Sequence, residues 1–220
     1  PICVKEDVVL EDFAPHLKEG YAMTKWVAEK LCMIAEERGL PISVLRPGNM
    51  AGSSTTGVQN TDDFNYLFLQ GIITTGCAPL QDTSYYLDMT PVDYAAKAVV
   101  HLAVHAPHKA IGQRFHLQTP QKPMPLSAIV DLLRQIGYTI EAVTPQEFVQ
   151  RIGQEARTAQ LASGWPTFEP YFLASSWLQY GCDNLQFACG DALSCPTVDA
   201  TLLAQWFPPN STTTDPVQEQ

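Results

Sequence analysis

Between Gly20 and Gly52 the sequence reads GYAMTKWVAEKLCMIAEERGLPISVLRPGNMAG, and this order restricts the fold more than any other stretch. Trp26, Ala28, Leu31, Cys32 and Ala35 recur at helical spacing, while Glu29, Lys30, Glu36, Glu37 and Arg38 fall on the wet side. Gly39 stops the helix, since glycine takes the left-handed conformation at little cost. Pro41 and the apolar run Ile42-Ser43-Val44-Leu45 follow, a pattern that suits a buried parallel strand. Arg46-Pro47-Gly48 then ends that strand. Helix, short turn, strand and Gly/Pro/Asn loop is the order of an open α/β sheet, where ligands bind beyond the carboxyl ends of strands.

Two chemically active side chains open the helix. Tyr21 and Lys25 stand at i and i+4, so they share a face with Cβ atoms about 5–6 Å apart. A phenol ordinarily titrates at about 10. A cation beside it favours the phenolate and makes the group a better proton donor and acceptor. Ordinary amphipathic helices also carry such pairs, so spacing alone leaves a structural reading open. Gly48 to Asn60 is rich in Gly, Ser and Thr and reads as a loop placed just after the strand, which makes it a candidate binding loop.

Composition narrows the function classes. A net charge of −10 argues against nonspecific nucleic-acid binding, which rests on Lys and Arg at phosphates. No apolar run approaches the roughly 20 residues of a membrane span, and no signal peptide opens the chain, so a cytoplasmic location is expected. The six cysteines form no C-x-x-C and no zinc spacing with histidine, so reduced thiols and no metal site are expected. His101, His105 and His108 stand near one another at a helix end, where histidine is also a favourable C-terminal residue.

Tyr21-x-x-x-Lys25, the following helix and strand, and Arg46-Pro47-Gly48 resemble the extended short-chain dehydrogenase/reductase family. GYAMTKWVAEKL, RGLPISVLRPGNMAGSSTTGVQNTDDF, LDMTPVDYAAKAVVHLA and CDNLQFACGDALSCPTVDATLLAQWF are similar to thioester reductase domains of polyketide synthases and nonribosomal peptide synthetases. The resemblance implies an α/β, Rossmann-like fold with a small, mainly helical substrate-side subdomain, and NADP(H) as cofactor. It implies release of an acyl or peptidyl chain from the phosphopantetheine arm of a carrier protein, as aldehyde or alcohol. Tyr21 and Lys25 would be catalytic and would also contact cofactor, with Pro47, Gly48 and Asn49 along the nicotinamide end. The hydroxyls of Ser53, Ser54, Thr55 and Thr56 would face the acyl or phosphopantetheine group. The glycine-rich phosphate loop of that family, and its upstream Ser or Thr, have no counterpart here: the chain holds no GxGxxG, GxxGxxG or GxxxxGK. The N-terminal nucleotide-binding strands are therefore expected to lie outside it, leaving an exposed sheet edge and an isolated chain without activity. A non-catalytic remnant that binds an acyl chain or a partner, or another extended-family reductase or epimerase, are the alternatives.

Three divisions are expected: 1–112 as the reductase core, 113–207 as the substrate-side part and 208–220 as a disordered tail. Pro1 to Lys18 reads as an acidic, irregular surface segment. Asp62-Asp63 caps a helix to about Gly71, and Thr90 reads as the N-cap of a helix to about Val104. Gln113 to Gln118 and Thr139 to Val143 alternate like strands. Leu126 to Gly137 is helical, Thr144-Pro145 opens a helix to about Ala162, and Asp199 to Phe207 is a final helix. Trp165, Phe168, Tyr171, Phe172, Trp177 and Tyr180 read as core by default, with an acyl pocket as the alternative.

Overall fold

The computed structural model describes residues 2–81, 85–172 and 178–209. Strand β1 (Ile2–Val4) and two 3-10 turns lead into helix α1 (Gly20–Glu37), then β2 (Val44–Pro47) and β3 (Met50–Ala51). Helix α2 (Phe64–Thr75), β4 (Cys77–Pro79), β5 (Tyr86–Leu87), β6 (Thr90–Pro91) and α3 (Val92–Val100) follow. A π-helical turn at His101–His105 leads to α4 (Pro107–Ala110), β7 (Arg114–Leu117), β8 (Met124–Pro125), α5 (Leu126–Gln135) and β9 (Glu141–Val143). Helices α6 (Pro145–Ile152) and α7 (Ala159–Phe172), β10 (Leu178–Tyr180), α8 (Asp183–Cys189) and α9 (Ala200–Trp206) complete it.

These elements form two interleaved units, whereas the sequence suggested a contiguous division at 112/113. The first takes Pro1–Met50, Thr90–Lys122 and Leu178–Cys195; the second takes Ala51–Met89, Pro123–Trp177 and Pro196–Gln220. In the first, β2 and β7 run parallel, with Val44 opposite Arg114 and Arg46 opposite His116. Strands β1 and β10 form a second parallel pair. Tyr94, Ala98, Leu102, Phe115, Leu117 and Leu185 make its apolar core.

Helix α1 contributes nothing to that core, because none of its residues is buried. Polar contacts hold it. Glu29 pairs with Arg46 on β2, and Glu36 pairs with Arg114 on β7 at 2.7 Å. Trp26 Nε1 donates to the Leu10 carbonyl at 2.8 Å, and Lys30 pairs with Glu11. On the opposite side Met23, Val27, Leu31 and Ile34 form an exposed apolar stripe at helical spacing.

The second unit is built on apolar burial. Asp63 caps α2 by accepting from the Asn65 and Tyr66 amides at 2.8 and 3.3 Å, and Gly76 ends it in the left-handed region at φ 63°. Strand β4 pairs parallel with β9, and β5 pairs antiparallel with β8. Phe68, Ile72, Ile129, Leu133, Phe148, Ile152 and Leu203 fill the core. Phe148 meets Phe68 and Trp165 edge-on, with centroids 5.5 and 5.9 Å apart. Trp165 is thus core, while the side chains of Phe168, Tyr171, Phe172 and Trp177 lie outside the described residues. No helix among the described residues is long and apolar enough to cross a membrane.

Several elements differ from their sequence reading. Strand β2 starts at Val44, two residues later than Ile42. Thr90 caps no helix: α3 has no side-chain cap, and the buried Thr90 hydroxyl instead accepts from the Thr119 amide at 2.8 Å. The helix capped by Thr144 stops at Ile152, before Gly153, and α7 is a separate helix. The N-terminal segment is not merely irregular, since it supplies β1 and the buried Glu6.

Phe148 is fully buried whereas Phe187 is 76% exposed, and the two should respond differently to truncation. Phe148→Ala is expected to cost roughly 3–5 kcal/mol, and Phe187→Ala no more than about 0.5 kcal/mol. Urea denaturation of each variant reads the difference.

Candidate active site

The two ion pairs that α1 makes with β2 and β7 decide where its first turn lies. Arg114 stands opposite Val44 at the start of β2, and it pairs with Glu36 near the end of α1. Arg46, further along β2, pairs with Glu29, two turns earlier on the helix. Helix and strand therefore run antiparallel. Continuing one turn past Glu29, about 6 Å along the axis, reaches Lys25. Continuing from Arg46 at about 3.3 Å per residue reaches Pro47, Gly48 and Asn49. The Tyr/Lys turn and the loop after β2 thus lie at the same end of this unit.

Lys25 Nζ lies 5.3 Å from the centroid of the Tyr21 ring. Tyr21 is 76% exposed, so its hydroxyl is open to a ligand. Thr24 Oγ1 donates to the Tyr21 carbonyl at 2.7 Å, which supplies a local partner within the first turn. The loop is held by its backbone: the Gly48 amide donates to the Leu117 carbonyl at 3.2 Å, and the Thr90 amide to the Asn49 carbonyl at 3.0 Å. Pro47 and Asn49 remain exposed. A phenol, an ammonium and an exposed loop at a strand's carboxyl end fit the nicotinamide end of a dinucleotide. A cradle for its phosphates is not among these residues.

Behind the loop sits a polar cluster that the sequence reading did not single out. Arg46 Nε donates to both Glu29 carboxylate oxygens at 3.1 Å, and Nη2 donates to Glu29 as well. Its Nη1 donates to the Glu6 carbonyl at 2.9 Å and reaches His116 Nε2 at 3.3 Å. His116 Nδ1 lies 2.7 Å from the Gly181 carbonyl and must donate to it, so Nε2 carries the lone pair that faces Arg46. The Glu6 carboxylate accepts from the His116 amide at 2.8 Å and from the Asn184 amide at 2.6 Å, at the start of α8. A carboxylate there satisfies an otherwise orphan amide and meets the positive end of the helix dipole. Only Arg46 had a visible signal, its place before Pro-Gly; Glu6 and His116 join through contacts distant in sequence.

Ser53, Thr55 and Thr56 belong to the second unit. Ser53 is buried, and its hydroxyl accepts from the Thr55 and Thr56 amides at 3.3 and 3.2 Å. The Ser53 carbonyl accepts from Trp206 Nε1 at 3.1 Å. A Cβ on Gly52 would come within 2.5 Å of the Trp206 ring, so glycine permits this close approach. Thr55 and Thr56 are exposed. Among the described residues no group of three His, Cys, Asp or Glu could hold a metal ion.

Comparison with known proteins bears on the fold. The NAD-binding family described as "Male sterility protein" matches residues 5–99. The terminal R domain of the myxalamid PKS-NRPS pathway superposes with a TM-score of 0.82 at 33% identity, over 94% of this chain and 52% of that one. The chain is similar to that R domain over nearly its whole length. A linear gramicidin synthase of Brevibacillus parabrevis is 34% identical over 156 residues, 71% of this chain and 3% of that protein. A thiolation-reductase di-domain from an archaeal non-ribosomal peptide synthetase shares the fold, with a TM-score of 0.64 at 24% identity over 87% of this chain and 40% of that one. The chain therefore spans about half of the solved R domain and a small part of the gramicidin synthase.

Burial holds the His116 pKa below its ordinary value, aided by the Arg46 cation and opposed by the Gly181 carbonyl and by Glu6 and Glu29. A histidine kept neutral in the fold contributes stability above its unfolded pKa of about 6.5, and that stability is lost as pH falls below this value. Urea midpoints should therefore drop on acidification through this range, and His116→Gln should flatten the dependence.

Proposed function

We propose that this chain carries the proton-donating, nicotinamide-facing half of an NADPH-dependent thioester reductase. The observation that carries the reading is the Tyr21/Lys25 turn, exposed and at the same end as Pro47, Gly48 and Asn49. Bound NADPH supplies the hydride, a chemistry that belongs to the cofactor. Tyr21 would give its hydroxyl proton to the thioester oxygen and regain one from solvent. Lys25 favours the phenolate left behind and would hold the nicotinamide ribose. Collapse of the tetrahedral hemithioacetal breaks the carbon–sulfur bond, and thiol and aldehyde leave. A second hydride addition at the same turn would give the alcohol. Pro47, Gly48 and Asn49 line the nicotinamide. The substrate is an acyl or peptidyl chain on the phosphopantetheine arm of a carrier protein, a reading supported by the likeness to the thiolation-reductase di-domain. Ser53, Thr55 and Thr56 are the proposed contacts to that arm, Thr55 and Thr56 being the exposed ones.

The test is NADPH oxidation with an acyl-pantetheine thioester, by this chain alone and by this chain joined to the N-terminal half of a related reductase domain. Oxidation is expected only in the joined form. Tyr21→Phe should lower its rate by about 10²–10⁴-fold. Equal rates for the parent and Tyr21→Phe would contradict the assignment.

A further inference from the structure

We propose that Arg46 is a positioning residue: gripped by Glu29, Glu6 and His116, it sets the level of the Tyr21/Lys25 turn against the Pro47-Gly48-Asn49 loop. Its role in catalysis rests on the reading above, but the geometry it controls does not.

Arg46 directly precedes Pro47, and Glu29 stands one turn from Lys25. The path from loop to catalytic turn therefore runs through Pro47, Arg46, Glu29 and Lys25. No residue of α1 is fully buried, and half-buried ones such as Trp26, Cys32, Met33 and Ala35 fix its level along β2 only loosely. Directional hydrogen bonds must do it. Arg46 offers a planar fork that meets both Glu29 oxygens, the Glu6 carbonyl and His116 Nε2 together. A lysine ammonium is a single point charge and cannot span these acceptors at once. The pair is largely withdrawn from water, with Arg46 and Glu29 side chains 19% and 14% exposed. Glu36 and Arg114 hold the far end of the helix, and Trp26 and Lys30 tie its middle to Leu10 and Glu11, so loosening Arg46 would free the catalytic end from β2 while these contacts remain.

His116 gives this arrangement a built-in reporter. The groups facing it are Arg46 on β2, Glu29 on α1, Glu6 after β1, the Gly181 carbonyl, and the edge-on ring of Tyr180 at 5.3 Å. A proton on Nε2 would set an imidazolium against the guanidinium and remove the acceptor for Nη1. The disturbance passes to Arg46, and from there to both sides of the site.

The experiment is a pH titration of the isotope-labelled chain by NMR, following the His116 ring and the amides of residues 21–25 and 48–49. In the parent chain His116 should titrate below about 6.5, and the Lys25, Gly48 and Asn49 amides should shift with the same midpoint. In Arg46→Lys, the His116 midpoint should rise and those amides should cease to follow it. Glu29→Gln keeps the side-chain shape and decides the matter if Arg46→Lys does not fold: it should displace the residue 21–25 amides while those of Phe115 and Leu117 stay in place. A purely structural role would lower the melting temperature of both variants and leave the amides of residues 21–25 and 48–49 unmoved, which would overturn the proposal. So would a His116 titration in the parent chain that those amides ignore. Because the readout is not catalysis, a chain without reductase activity counts against the proposed function only.

Discussion

Arg46 ties two parts of the chain that the apolar core leaves out, the N-terminal segment through Glu6 and helix α1 through Glu29, to the core strands β2 and β7, the latter through His116. The loop that follows it inherits that position. Electrostatic attachment of a helix is unusual in a fold whose other helices bury apolar faces. Partly buried ion pairs balance a desolvation cost against attraction, so their net contribution to stability is modest. What they supply here is direction, since a bidentate guanidinium–carboxylate contact admits few geometries. The exposed stripe on the far side of α1 and the second edge of β2, which pairs only with β7 among the described residues, fit the same picture. Both leave apolar and hydrogen-bonding surface on this unit.

Elements with local signals were legible in the sequence. Helix α1 carries its period and its Gly39 stop, α6 carries the Thr144 cap that accepts from the Glu147 amide, and α9 follows Asp199, whose side chain accepts from the Leu202 amide. Thr90 carried the same cap signature, yet its hydroxyl serves a strand-end amide instead, because a tertiary partner competes for one oxygen. The extent of the helix after Pro145 failed for a related reason: the apolar period runs on, while Gly153 and the Thr158 hydroxyl, bonded to the Ile152 carbonyl, turn the chain. Glu6 was illegible. An acid in a run of acids looks solvated, and only the fold brings it under the start of α8.

The site divides in the same way. Tyr21 and Lys25 share a helix turn, so their pairing needs nothing beyond spacing. Their relation to Pro47, Gly48 and Asn49 needs the antiparallel run of α1 against β2, which Glu29 and Glu36 enforce from seven residues apart. Dinucleotides are ordinarily held at the pyrophosphate by glycine-rich turns and helix N-termini. If the proposed site holds the reacting end alone, these residues should bind the cofactor weakly and by one end.

That asymmetry is open to direct measurement by saturation-transfer difference NMR of NADPH with the folded chain. The account predicts transfer to the nicotinamide and its ribose protons, reduced by Lys25→Met, with the adenine protons silent. Transfer centred on the adenine, or none to the nicotinamide in a chain that circular dichroism shows to be folded, would contradict it.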